Sequence, residues 1–140
     1  MDDWREMYPQ NEIHQTAVID PSVVMGTGNF IGPYTVIGAN TFIGNNNRFQ
    51  GHSSVGSPAE HKDFFRGNSS FGVQIGSDNV IREFVTVNSG TSRTTIIGNN
   101  CIMLRASHHS HDSIMEDKVT LSCNVLIGGH GYIMEGANCG

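Results

Sequence analysis

Apolar residues return every six positions along almost the whole chain. Ile13, Ile19, Met25, Ile31, Ile37, Ile43, Phe49 and Val55 follow at that interval. Ile75, Ile81 and Val87 resume it, and Ile97, Met103, His109, Met115, Leu121, Ile127, Ile133 and Cys139 carry it to the end. Of these nineteen positions all but His109 and Cys139 hold Ile, Leu, Val, Met or Phe. Gly follows directly at several of them, as at Gly26, Gly32, Gly38, Gly44, Gly76 and Gly98. Four places on stand small, polar or β-branched residues such as Thr35, Thr41, Asn47, Ser53, Asn79 and Ser107. A 3.6-residue helix does not produce a strict period of six, and a two-faced strand alternates at two without Gly punctuation. The pattern predicts a triangular coil in which each hexad makes one short strand and one turn. Three hexads then close a coil, and the coils stack at a spacing of about 4.8 Å. The large apolar residue points into the prism, the small one sits at a corner, and Gly or Asn supplies turn conformations that other residues reach with strain. The reading is an all-β parallel β-helix of about six coils, roughly 30 Å tall.

Two stretches break the phase. Residues 57–72 carry Pro58, four charges (Glu60, Lys62, Asp63, Arg66) and two exposed-looking aromatics, Phe64 and Phe65. They read as a loop thrown out from a corner to cover a site or pack on a neighbouring subunit. A second insertion, of four residues, falls near Thr91 to Thr94. The division predicted is a lead-in over 1–12 and one β-helix domain over 13–140, with 57–72 as its protruding loop. The chain stops at Gly140 on the second residue of a hexad, so an open coil edge is expected there in a fragment, or under some cover.

Composition narrows the partners. The net charge is −5 and the eight basic residues form no run, so nothing favours nucleic acid. Met1 to Gln10 is polar and acidic, unlike a signal peptide, and no apolar run approaches a membrane span. Three cysteines without framework spacing predict free thiols and a reducing compartment, hence a cytoplasmic protein.

The chemistry concentrates late in the chain. Four of the seven histidines fall between Ser107 and His130, in Ser107-His108-His109-Ser110-His111-Asp112 and Gly128-Gly129-His130. If residue n stacks on n+18, Asp112 meets His130 and His111 meets Gly129. That gathers an imidazole, a carboxylate, a second imidazole and a Gly-Gly backbone at one corner, the parts for general-base catalysis beside an oxyanion donor. Polar turns that hold histidines by chance are one alternative, and a zinc site is another. His109 falls in the inward phase and reads as a neutral, hydrogen-bonded core imidazole. Cys101 and Cys123 have no activating partner nearby in sequence, so neither reads as a nucleophile.

Three segments carry a family resemblance. They are His14-Gln15-Thr16-Ala17 through Ile31-Gly32-Pro33, the run Ile81-Arg82-Glu83-Phe84-Val85-Thr86-Val87-Asn88-Ser89-Gly90-Thr91, and His108 to Asp112 with Gly129-His130. Together they resemble the UDP-N-acetylglucosamine O-acyltransferase family of lipid A biosynthesis, within the hexapeptide-repeat acyltransferases. The likeness covers nearly all of the chain, which reads as an N-terminal portion. It departs where the family has His-Arg-Gly-Thr and this chain has Asn88-Ser89-Gly90-Thr91. It departs also at Arg105 and His109, where the family is aliphatic, and in a loop one residue shorter.

The resemblance implies a left-handed coil and a homotrimer with sites between subunits. It implies His111 as the general base for a sugar 3-hydroxyl or 3-amine, Asp112 as its orienting partner and the Gly129 N–H as the oxyanion donor. It further implies that His108 and His130 hold the sugar and that Lys62 and Glu60 reach the substrate from the loop. No cofactor or metal is implied. The acyl group would arrive as a thioester, on acyl carrier protein or on coenzyme A, and pass to a UDP-GlcNAc-type nucleotide sugar in the first step of lipid A synthesis. The alternatives are an acetyl-CoA-dependent nucleotide-sugar acetyltransferase, a metal-dependent trimer of the carbonic anhydrase kind, and a non-catalytic β-helix.

Overall fold

The computed structural model describes residues 3–64 and 71–140. After a single helical turn, Trp4–Met7, the chain winds through nineteen strands of two to four residues. Each of the nineteen hexad positions falls within its own strand, so the six-residue period is the strand period. The strands stack into three parallel sheets. The first face has seven, from Glu12–Ile13 to Asn138–Cys139. The second runs over six, from Val18–Ile19 to Leu126–Ile127, and the third over six, from Val24–Met25 to Tyr132–Ile133. Three strands per coil give six coils and one strand more.

Neighbouring coils are in register at 18 residues where the hexads run unbroken, as in Ile19↔Ile37 and His109↔Ile127. Across the two interruptions the stacked partners lie 32 and 22 residues apart, as in Val55↔Val87 and Val87↔His109. Both insertions leave the prism between a second-face strand and a third-face strand. They share one corner, and the ladder continues past them with a single register shift between Val87 and Asn88.

The inward column is dry. Ile31, Phe49, Val55, Ile81, Val87, Met115 and Leu121 are fully buried, while Ile127 and Cys139 in the last coil are half-buried. Burying such side chains supplies about 1.5–3 kcal/mol each. A column of asparagines runs beside it at the corner between the third and first faces. Asn29 donates to Asn11, Asn47 to Asn29, and the Asn79 and Cys101 N–H groups to Asn47 and Asn79 in turn. Each side chain satisfies turn groups of the adjacent coil that hexad strands leave unpaired.

The turn chemistry differs from the sequence expectation. The left-handed residue stands three places after the inward one, and side chains of several kinds fill it: Asn40, Asn46, Asn100 and Asn124, but also Tyr34, Phe84, Ala106, Lys118 and His130, all with φ between 55° and 62°. The glycine directly after the inward residue serves another end. A Cβ at Gly32 would lie 2.6 Å from the carbonyl oxygens of Phe49 and Gln50, so glycine lets one coil settle on the next.

In the 57–72 loop, Phe64 is half-buried rather than exposed, with its ring 5.5 Å from that of His61. Phe65 and Arg66 lie outside the described residues.

Candidate active site

The corner between the second and third faces collects the polar side chains. His111 and Asp112 occupy it in one coil and Gly129 and His130 in the next, with the root of the 57–72 loop and residues 89–94 on the other side. The site follows from the period, because every third turn returns to the same corner.

His111 and Asp112 form a tight pair, Nδ1 to Oδ2 at 2.6 Å, and both residues are buried. Asp112 is in the left-handed region at φ 60°, a conformation Asp tolerates better than most residues. Its N–H donates to Thr95 Oγ1 at 2.9 Å. Burial pushes its carboxyl up, but hydrogen bonds from the Thr91 hydroxyl, the Ser92 N–H, His111 and the Arg93 N–H outweigh that and hold it well below the usual carboxylate range. An ionised carboxylate only accepts, so the neutral His111 ring carries its proton on Nδ1 and presents a lone pair at Nε2. That nitrogen faces the next coil. A Cβ on Gly129 would lie 2.7 Å from Nε2 and 2.6 Å from Cε1, so only glycine fits beside the imidazole. The His130 N–H donates to the His111 carbonyl at 3.0 Å, and His130 Nε2 stands 3.7 Å from Asp112 Oδ2. The stacking of 111 on 129 and 112 on 130 thus brings these four residues together.

His108 lies one strand earlier on the second face. Its Nδ1 meets Thr86 Oγ1 at 2.7 Å and its Nε2 approaches Glu60 of the loop at 3.5 Å. Lys62 is exposed and makes no ion pair among the described residues. Between these two loop residues stands His61, edge-on to His111 with ring centroids 5.7 Å apart. Sequence reasoning passed over His61; its only signal was its place between Glu60 and Lys62. Thr86 was passed over too. The insertion at 91–94 was visible as a break in phase, but nothing in the period shows that it ends on Asp112. His109 is fully buried in the inward column, its Nε2 3.1 Å from the Ile96 carbonyl oxygen, and burial pulls its pKa down to about 4.

His111, Asp112 and His130 each bring a potential ligand atom within 4.8 Å of the others. The carboxylate, however, is fully engaged. Oδ1 accepts three backbone N–H groups and the Ser92 hydroxyl, and Oδ2 accepts the Thr91 hydroxyl and His111. A carboxylate offers about four lone-pair sites. This donor set suits a hydrogen-bonded base better than a cation.

No protein-family model matches the chain. Curated relatives do. It is 38% identical over 121 residues to the acyl-[acyl-carrier-protein]–UDP-N-acetylglucosamine O-acyltransferase of Xanthomonas oryzae pv. oryzae, covering 71% of this chain and 45% of that protein. It is 37% identical over 139 residues to the protein of the same name from Stenotrophomonas maltophilia, covering 84% and 52%. Among solved structures, UDP-N-acetylglucosamine O-acyltransferase from Moraxella catarrhalis superposes with a TM-score of 0.70 at 28% identity, over 90% of this chain and 56% of that one. The chain spans about half the length of the curated relatives it matches. Its coil is the left-handed parallel β-helix of these neighbours.

Proposed function

We propose, from the premise that this chain is homologous to the UDP-N-acetylglucosamine O-acyltransferases, that it serves acyl transfer from a thioester on acyl carrier protein to the 3-hydroxyl or 3-amine of a UDP-GlcNAc-type nucleotide sugar. The observation that carries this reading is the His111–Asp112 pair, with the free Nε2 turned to the Gly129 main chain.

His111 Nε2 takes the proton from the sugar nucleophile as that atom attacks the thioester carbonyl carbon. Asp112 stabilises the imidazolium that forms. The Gly129 N–H, which has no hydrogen-bond partner among the described residues, donates to the oxyanion of the tetrahedral intermediate. Collapse breaks the carbon–sulfur bond, and the leaving thiolate recovers the proton from His111. The balance closes without a metal or a covalent enzyme intermediate. His108 and His130 flank the base and hold the sugar, while Glu60 and Lys62 reach it from the loop. On this reading residues 13–140 act as one β-helix domain in the cytoplasm, in keeping with three unpaired cysteines. The active assembly is a homotrimer, for which the third face supplies an apolar outer ladder.

Replacing His111 with Ala in the full-length protein should lower turnover with acyl-acyl carrier protein by roughly 10²–10⁴. Unchanged turnover would remove the proposed base. Running acetyl-CoA beside acyl-acyl carrier protein in the same assay identifies the donor.

A further inference from the structure

The insertion at 91–94 is aimed at a single side chain. Three successive backbone N–H groups converge on Asp112 Oδ1: Thr91 at 2.9 Å, Ser92 at 2.8 Å and Arg93 at 2.8 Å. The Ser92 hydroxyl adds a fourth contact at 3.2 Å. The Thr91 hydroxyl donates to the other oxygen, Oδ2, at 2.6 Å, and Arg93 Nε reaches the Asp112 main-chain carbonyl at 2.6 Å. Gly90 starts the turn, where a Cβ would overlap the Arg93 carbonyl oxygen. Successive N–H groups turned inward in this way form a concave anion receptor. Its occupant here is a fully buried carboxylate of the chain itself.

The arrangement answers a chemical difficulty. A buried carboxylate bonded only to one imidazole pulls a proton onto that imidazole, and a base already protonated takes nothing from a substrate. Several donors on the carboxylate spread its charge while fixing its direction. We propose that the insertion is a positioning element, in which Thr91, Ser92 and Arg93 hold Asp112 as a fixed and partly neutralised anion so that His111 is oriented through Nδ1 yet keeps a free lone pair at Nε2. Among the described residues the other ionisable groups around the pair are the Arg93 guanidinium, whose Nε meets the Asp112 carbonyl oxygen, His130, 3.7 Å from Oδ2, and His61, edge-on to His111. The kinetic part of this proposal rests on the acyl-transfer reading; its structural part does not.

Thr91→Val keeps the branched shape and removes one donor from Oδ2. With more charge left on Asp112, His111 protonates more readily. The expected result is a fall in kcat of about 3-fold below neutral pH with KM changed less than about 2-fold, and an acid limb of the pH–rate profile moved to higher pH. Thr91→Ser should restore the parent values. Ring ¹⁵N shifts of His111 give a readout independent of activity. At neutral pH the parent should show the Nδ1–H tautomer, and Thr91→Val a larger doubly protonated fraction. If Thr91→Val fails to fold, Ser92→Ala removes only the 3.2 Å contact and should move the same shifts by less. Ring shifts and kcat unchanged from the parent in these variants would overturn the proposal. Shifts that move in a protein without acyl transfer would uphold the positioning role and reject the acyltransferase reading instead.

Discussion

At the residue scale the most informative position is one where the hexad pattern holds a polar side chain. His109 sits in the inward column between Val87 and Ile127, with Nδ1 unpartnered among the described residues and Nε2 on a carbonyl oxygen. Burial holds its pKa at about 4, whereas an unfolded imidazole titrates near 6.5. Between those values the unfolded chain binds the extra proton. Stability from this residue is therefore intact above about pH 6.5 and lost as pH falls toward 4, by about 3 kcal/mol at the lower end. His109→Leu should flatten that slope, and urea denaturation at about pH 7 and about pH 5 measures it. Equal losses in the parent and the variant would mean that the imidazole is not buried neutral. The same residue shows what sequence phase conveys. Phase placed His109 inside and His111 beside Gly129, because both follow from counting hexads. It was silent on His61, whose approach to His111 depends on the path of a loop that obeys no period.

At the scale of the element, the strands were legible because short strands repeat at six residues everywhere but at the two insertions. The corners were legible only in part. Asn and Gly announced turns, but the backbone work is divided: the third residue after the inward one adopts the left-handed conformation, and the first makes room for the next coil. That division was hidden because Tyr34, Phe84 and Lys118 fill the left-handed position as well as Asn does. The asparagine column is where corner chemistry bears on stability. Asn47 is buried, donates to Asn29 Oδ1 and the Gly76 carbonyl, and accepts from the Asn79 N–H. Asn47→Ala leaves these groups unpaired and dry, at a cost of roughly 2–4 kcal/mol. Asn45 makes the equivalent bond two residues earlier on the exposed surface, accepting from the Thr27 N–H. Asn45→Ala should cost about 1 kcal/mol, since water replaces the lost bond. Chemical denaturation of the two variants side by side tests the ranking, and equal losses would show that the inner column carries no special weight.

At the scale of the whole molecule, the three faces of the prism are not alike. Outward residues of the first face are Glu12, Phe30, Arg48, Val80, Ile102, Thr120 and Asn138, and those of the second are Val18, Val36, Ser54, Thr86, His108 and Leu126, so both mix polar with apolar side chains. The third face presents Val24, Phe42, Gln74, Ile96, Ile114 and Tyr132 in one registered ladder. Val24, Phe42 and Tyr132 are more than half exposed. A run of apolar side chains along a flat sheet is what a protein surface ordinarily avoids unless another surface covers it. The same face borders the corner that holds His111, so a second copy seated there would wall the site as well as bury the ladder. A closed ring of such copies repeats one contact at every step. Phe42→Glu puts a charge on the second rung of the ladder, three coils from the one that holds His111, and points outward, so the prism itself should fold as before. On the proposed assembly, sedimentation should find a trimer for the parent and a monomer for the variant, with far-UV circular dichroism unchanged. Turnover should fall with the assembly, because a site walled by two copies loses one wall. A variant that stays trimeric with a glutamate at that position would move the contact to another face and leave the apolar ladder without its partner.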